Sequence, residues 1–315
     1  MTVAIETYDP KHLEQMTARF NAETADEPHV APLDPERFQT LVAAKTYFDP
    51  RGLFVAREGG EVLGWAHACL APGSEPHADP TALAAQLRLL IYPATRLDVG
   101  RELVTVATAW LKATGKTELH GLGAHAGYPF YRGLWFGGEP MGPATMPHVQ
   151  LALEVGGYKN THESIFMVAA LNAAPTVLEA AEKLEYTEEP LALTQEGVRE
   201  SWTGFTPMRT RAFLAGTEVG AIGWAVLPHV AARLGAPCMS IWSLWTQEQH
   251  RRKGIAAALI SRALAPSHAQ GARFASVGTQ LWNAPAHATY AKFGFLPYRV
   301  LVGRMLKVAD AATAS

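Results

Sequence analysis

Three consecutive cations and a glycine, Arg251-Arg252-Lys253-Gly254, follow an apolar run and precede Ile255-Ala256-Ala257-Ala258-Leu259. The run Met239 to Thr246 has the length and composition of a strand, and the segment after Gly254 reads as a helix opened by small residues. The first N–H groups of a helix have no partner inside it, and the helix dipole draws anions to that end. The chemistry on offer is the grip of a phosphate, with Gly254 and Ala256 letting a bulky anion reach the backbone. A dinucleotide fold would need Gly-x-Gly-x-x-Gly after its first strand, and a P-loop Gly-x-x-x-x-Gly-Lys-Ser/Thr; neither is present.

Farther along, Asn283-Ala284-Pro285-Ala286-His287-Ala288-Thr289-Tyr290-Ala291-Lys292-Phe293-Gly294-Phe295 reads as a helix capped by Asn283, with Tyr290 sharing a face with Ala286 and Phe293. Together the two segments resemble the GNAT superfamily of acetyl-coenzyme A-dependent N-acyltransferases. Its signature, Gln/Arg-x-x-Gly-x-Gly/Ala, lies between the fourth strand and the third helix. Its second landmark is an Asn opening the next helix, a Tyr in that helix and a closing Gly-Phe. The resemblance implies that the pantetheine arm runs along main-chain groups of Leu244, Trp245 and Thr246. It sets the pyrophosphate against Arg252, Lys253, Gly254, Ile255 and Ala256, with Arg251 opening the loop, and Asn283 beside the coenzyme arm. Tyr290 is then both a cofactor contact and the catalytic general acid that protonates the departing thiolate.

The implied activity is transfer of an acetyl group from acetyl-CoA, a cosubstrate, to a primary amine of a small molecule or peptide by direct attack, without a metal. The alternative from another class is a non-catalytic acyl-CoA-binding sensor or interaction module on the same fold. Glu248, His250 and His287 could each relay a proton from an ammonium nucleophile, but residues so placed are more often solvated loop or surface groups, and none is named as the base. Trp242 and Trp245 fit either an apolar acceptor pocket or ordinary strand packing.

The elements that must position these residues occur twice. Val62-Leu63-Gly64-Trp65-Ala66 returns as Ala221-Ile222-Gly223-Trp224-Ala225, each behind a β-favouring run and a glycine turn, so both read as hairpins. Each half continues with a strand (Leu87 to Tyr92; Met239 to Thr246) and a helix (Gly100 to Ala113; Gly254 to Leu264, the latter stopped by Pro266). A strand and helix follow (Glu118 to Ala124 with Pro147 to Val155; Phe274 to Gln280 with Pro285 to Phe293), then a Gly-aromatic stop and a final strand (Ser164 to Ala170; Arg299 to Leu306). The expected fold class is α/β (α+β): two tandem GNAT-like domains, each a mixed, mostly antiparallel twisted sheet flanked by helices. The boundary is set near Leu171 to Pro175, giving domains 1–171 and 172–315, with a new helix over Thr176 to Leu184.

The first copy departs from the pattern. Aligning Gly100 with Ala256 puts Asp98 at the position of Gly254, where a carboxylate repels phosphate; Met146 and Leu153 fall at the positions of Asn283 and Tyr290. The N-terminal domain is therefore expected to be degenerate, with Gly127 to Glu139 either a lid or a loop packed on its own aromatics.

A chain of 315 residues favours two domains, and 48% apolar with 18% charged residues is ordinary globular composition. A net charge of -2 gives no general reason to bind nucleic acid or an anionic membrane. Two distant cysteines, Cys69 and Cys238, make neither a disulfide framework nor a zinc site, and the 12 His lack metal spacing. No signal peptide or spanning run is readable. A cytoplasmic monomer or homodimer is expected.

Overall fold

Glycine turns fold each half back on itself where the pattern places a hairpin. The computed structural model describes residues 2–72, 79, 81–122, 130–135, 146–193 and 199–308. After β1 (Ala4–Thr7), α1 (Leu13–Glu23) and the single-turn α2 (Pro35–Phe38), strands β2 (Leu53–Glu58) and β3 (Glu61–Ala71) pair across Gly59-Gly60. Then come β4 (Ala84–Ile91), α3 (Leu97–Ala113), β5 (Glu118–Gly121), α4 (Pro147–Val155) and β6 (Lys159–Ala170). The second half repeats the order. Its strands β7 (Glu185–Pro190), β8 (Met208–Leu214) and β9 (Thr217–Leu227) precede the short α5 (Ala231–Leu234) and β10 (Cys238–Thr246). It closes with α6 (Ile255–Ala269), β11 (Phe274–Gln280), α7 (Ala284–Ala291) and β12 (Leu296–Lys307).

Among the described residues twelve strands join one sheet in the order β1-β2-β3-β4-β5-β12-β6-β11-β10-β9-β8-β7. Only β4–β5 and β10–β11 pair in parallel; the other pairs are antiparallel. The last strand of each half lies in the other half's sheet: β6 pairs with β11 (Phe274↔Ala170 to Gln280↔Ser164), and β12 pairs with β5 (Lys307↔Glu118 to Arg304↔Gly121). The exchanged strands meet along a seam from Leu296↔Val168 to Met305↔Lys159.

Two local expectations are corrected. No helix forms over Thr176 to Leu184; that stretch is irregular until β7. Its polar groups are satisfied by α6 and the preceding loop instead: Leu178 N–H donates to Ser261 Oγ (2.9 Å), Ala181 N–H to Lys253 O (2.9 Å), and Arg262 binds Leu178 O and Glu179. Nor does Pro266 stop its helix, since α6 runs to Ala269 with the proline inside. The strand expected over Glu118 to Ala124 closes at Gly121, its last two positions lying outside the described residues.

Apolar alternation sorts the strands between two faces. Ala66 and Leu90 join α3 and α4 in one core, and Met239, Ile241, Leu259 and Tyr290 build its counterpart under α6 and α7. The opposite face carries a single core shared by the halves, in which Trp65, Tyr131 and Trp135 join Trp202, Ala225 and Cys238. Of the aromatic loop expected over Gly127 to Glu139, residues 130–135 are described, and Phe130, Tyr131, Leu134 and Trp135 are buried in that core. Among the described residues no helix is long and apolar enough to cross a membrane.

Candidate functional site

Strands β10 and β11 run together only from Cys238↔Phe274 to Ile241↔Val277. Beyond that point β10 follows β9 as far as Thr246↔Gly220, while β11 follows β6 to Gln280↔Ser164. The register of β10 slips between Ile241 and Ser243, a bulge at Trp242. A wedge opens between the two parallel strands, and the edge of β10 from Ser243 to Thr246 faces it without a strand partner. Free main-chain groups along such an edge can bind an extended chain as another strand would.

The wedge is part of a groove of about 1050 Å³. Leu244, Trp245, Thr246, Arg251, Arg252, Gly254, Ile255, Ala256, Asn283 and Tyr290 all line it, so the structure gathers in one place residues that the sequence separates. Lys253 does not line it; its Nζ sits 2.8 Å from Glu182 Oε1 on the far side of the loop. Of the candidate bases only His250 lines the groove, and its Nδ1 lies 3.4 Å from Glu182 Oε2. Glu248 is exposed outside the groove, and His287 Nε2 contacts Gln280 O at 3.1 Å.

Gly254 is the N-cap of α6 and has φ +84°, a left-handed conformation that residues with a Cβ rarely adopt. Its lack of a side chain has a second effect, because no side chain caps the helix. The first backbone bond of α6 is Ala258 N–H to Gly254 O at 2.9 Å, which leaves the amides of Ile255, Ala256 and Ala257, all groove residues, without helical partners. Arg251 and Arg252 are exposed beside them, so positive partial and full charges converge on one end of the groove.

Tyr290 is almost fully buried against Phe295, ring centroids 5.7 Å apart, and its hydroxyl makes no hydrogen bond to a described residue. Burial pushes its phenol up to about 12, so it is protonated at neutral pH. Asn283 caps α7 by accepting from Ala286 N–H at 3.3 Å. Sequence reasoning missed Thr279, Trp282 and Lys292, which also line the groove; Trp282 is 78% exposed, and nothing in the pattern around it sets it apart.

The corresponding place in the first half is closed by its own side chains. Tyr92 is fully buried, its hydroxyl donates to His148 O (2.5 Å), and its ring would lie 2.2 Å from a Cβ added at Gly100 in the first turns of α3. Asp98 stands in the first turn of α3, paired with Arg96 at 2.8 Å, and that pairing holds its carboxyl below the usual range. A carboxylate thus holds the helix end where the second half presents bare amides.

Residues 176–295 match the model of the Acetyltransferase (GNAT) family. No curated protein sequence gives a match. Among solved structures, a GCN5-related N-acetyltransferase from Sphaerobacter thermophilus is 13% identical, with 98% of this chain and 96% of that one aligned at a TM-score of 0.66. A tandem GNAT protein from the clavulanic acid biosynthesis pathway is 17% identical over 98% of this chain and 100% of that one, TM-score 0.63. The N-myristoyltransferase of Saccharomyces cerevisiae, solved with bound myristoyl-CoA, is 10% identical over 97% and 79%, TM-score 0.58. At such identities the structural likeness speaks for the fold alone. The family model thus marks residues 176–295 as a GNAT acetyltransferase domain, and over its full length the chain is similar in fold to GNAT proteins, one of them a tandem form.

Proposed function

We propose that the second half of the chain transfers an acetyl group from acetyl-CoA to the nitrogen of a primary amine. The observation that carries this reading is the uncapped start of α6 facing the same groove as the free edge of β10 and the Tyr290 phenol. Diphosphate would lie on the amides of Ile255 to Ala257 beside Arg251 and Arg252, and the pantetheine arm along Ser243 to Thr246. An amide of that edge would hold the thioester oxygen as negative charge develops on it.

The amine lone pair attacks the carbonyl carbon, a C–N bond forms, and the C–S bond breaks. Sulfur takes the Tyr290 proton, and the phenol is reprotonated by the proton the nitrogen sheds, so the products are the N-acetyl amine and free coenzyme A. The first half, proposed as residues 1–171, serves as a structural partner whose own helix end is sealed by Asp98 and Tyr92. Residues 172–315 carry the reaction.

Calorimetry with acetyl-CoA tests the loop. Gly254→Asp introduces a Cβ at φ +84° and a carboxylate where the diphosphate would sit, and should weaken binding at least about tenfold. Unchanged affinity in a folded variant removes the loop from the site. Thiol release on adding amines separates an enzyme from a non-catalytic acyl-CoA sensor, and longer acyl-CoA thioesters in the same assay test the restriction to acetyl.

A further inference from the structure

The groove is one-sided in charge. Among its described lining residues the basic side chains are His250, Arg251, Arg252 and Lys292, and there is no aspartate or glutamate. An incoming ammonium therefore meets no carboxylate to hold it or to take its proton, while its neighbours favour the neutral amine.

The bulge at Trp242 gives the groove its second property. Leu244 packs in the core under α6, whereas Trp242 packs in the core on the opposite sheet face. There Trp242 meets the Trp202 ring at 5.7 Å, and the guanidinium of Arg132, from the first half, lies over Trp202 at 3.9 Å. The Trp242 Nε1–H is buried with no hydrogen-bond partner, and Trp245 is 39% exposed in the same groove. The wall away from the helix end is thus aromatic and is backed by a further cation.

We infer that the acceptor is a weakly basic primary amine on an aromatic body that carries no second positive charge, an α-amino group or arylamine rather than a polyamine. This rests on the acetyl transfer proposed above. With no carboxylate among the described lining residues and His250 held against Glu182, the fraction of amine already neutral limits attack. At pH 7.5 that fraction is about one in four for an α-amino group but about one in a thousand for a lysine-like amine. The aromatic body stacks on the part of Trp242 that lines the groove.

Thiol release with acetyl-CoA at pH 7.5 tests this with phenylalanine amide and 4-aminobenzoate against spermidine and an aminoglycoside. The aromatic amines should show kcat/KM at least about tenfold higher, following their neutral fractions. Trp242→Leu should raise KM for the aromatic amines and leave the acetyl-CoA dissociation constant unchanged. Should that variant not fold, Ser243→Glu, which adds a carboxylate to the groove wall, should shift preference toward spermidine. Equal or better turnover of the polycations by the unaltered protein overturns the inference. If acetyl-CoA binds but no amine is turned over, calorimetry on the coenzyme-loaded protein decides: binding of phenylalanine amide without spermidine supports it, and any other result overturns it. Failure to bind acetyl-CoA at all defeats the underlying transfer reading instead.

Discussion

Tyr290 and Gly223 show how much rests on single side chains. Tyr290→Phe removes one oxygen from a buried ring and should leave acetyl-CoA affinity within about twofold while lowering kcat by about a hundredfold, the usual worth of a positioned acid. Because burial holds the phenol near 12, the acid form persists through the alkaline range, and no loss of rate attributable to it should appear below about pH 10. A kcat equal to that of the unaltered protein excludes Tyr290 from proton transfer. A Cβ at Gly223 would lie 2.3 Å from the Trp242 ring, so Gly223→Ala must displace the indole. It should cost about 1–3 kcal/mol of stability in urea unfolding, as overpacking usually does. No change in the urea midpoint would mean that the ring moves freely.

At the scale of elements, the irregular strap from Leu178 to Glu182 and the loop before α6 form one unit. Glu182 pairs with Lys253 and lies against His250, and both hold its carboxyl below the usual range. Backbone bonds to Lys253 O and Ser261 keep the strap in place without that carboxylate. Glu182→Gln should therefore remove a negative charge near the loop proposed to hold the diphosphate and leave that loop intact. Acetyl-CoA binding should tighten by about two- to fivefold at low salt, an exposed ion pair's worth, and the gain should shrink as salt is added. Weaker binding would show instead that the carboxylate positions the loop.

Across the whole molecule, the strand exchange makes each half incomplete without the other. Residues 1–171 alone would lack β12 beside β5 and present a raw edge, and residues 172–315 would lack β6 beside β11. The intact chain should unfold in one transition seen alike by near- and far-ultraviolet circular dichroism, and neither half should fold separately; two resolved transitions would contradict this. The shared core also sets a pH response. Burial pulls His67 down to about 3 and His29 down to about 4, so both stay neutral in the folded state while the unfolded chain takes up protons below about 6.5. Stability is full above that pH and falls as the solution is acidified toward 4, by up to about 1.4 kcal/mol per pH unit for each histidine. Urea unfolding between pH 7 and 4.5 measures the slope, and a flat profile would mean that these imidazoles are solvated.

The features legible along the chain are local ones. The repeated hairpins, the strand, cation loop and small-residue helix at Gly254, and the Asn283 cap were legible because turn chemistry, apolar period and capping act over a few neighbouring residues. The same local reading placed Asp98 at the first copy's helix end. The assembled fold fixed the exchange of β6 and β12, since both read as ordinary final strands and their partners lie far away in the chain. It also decided that the strap before β7 is not helical, because α6 supplies the bonds a helix would have made, and that Arg132 stands behind Trp202 and Trp242. Those outcomes depend on which surfaces meet after collapse, and no periodicity within a segment encodes that.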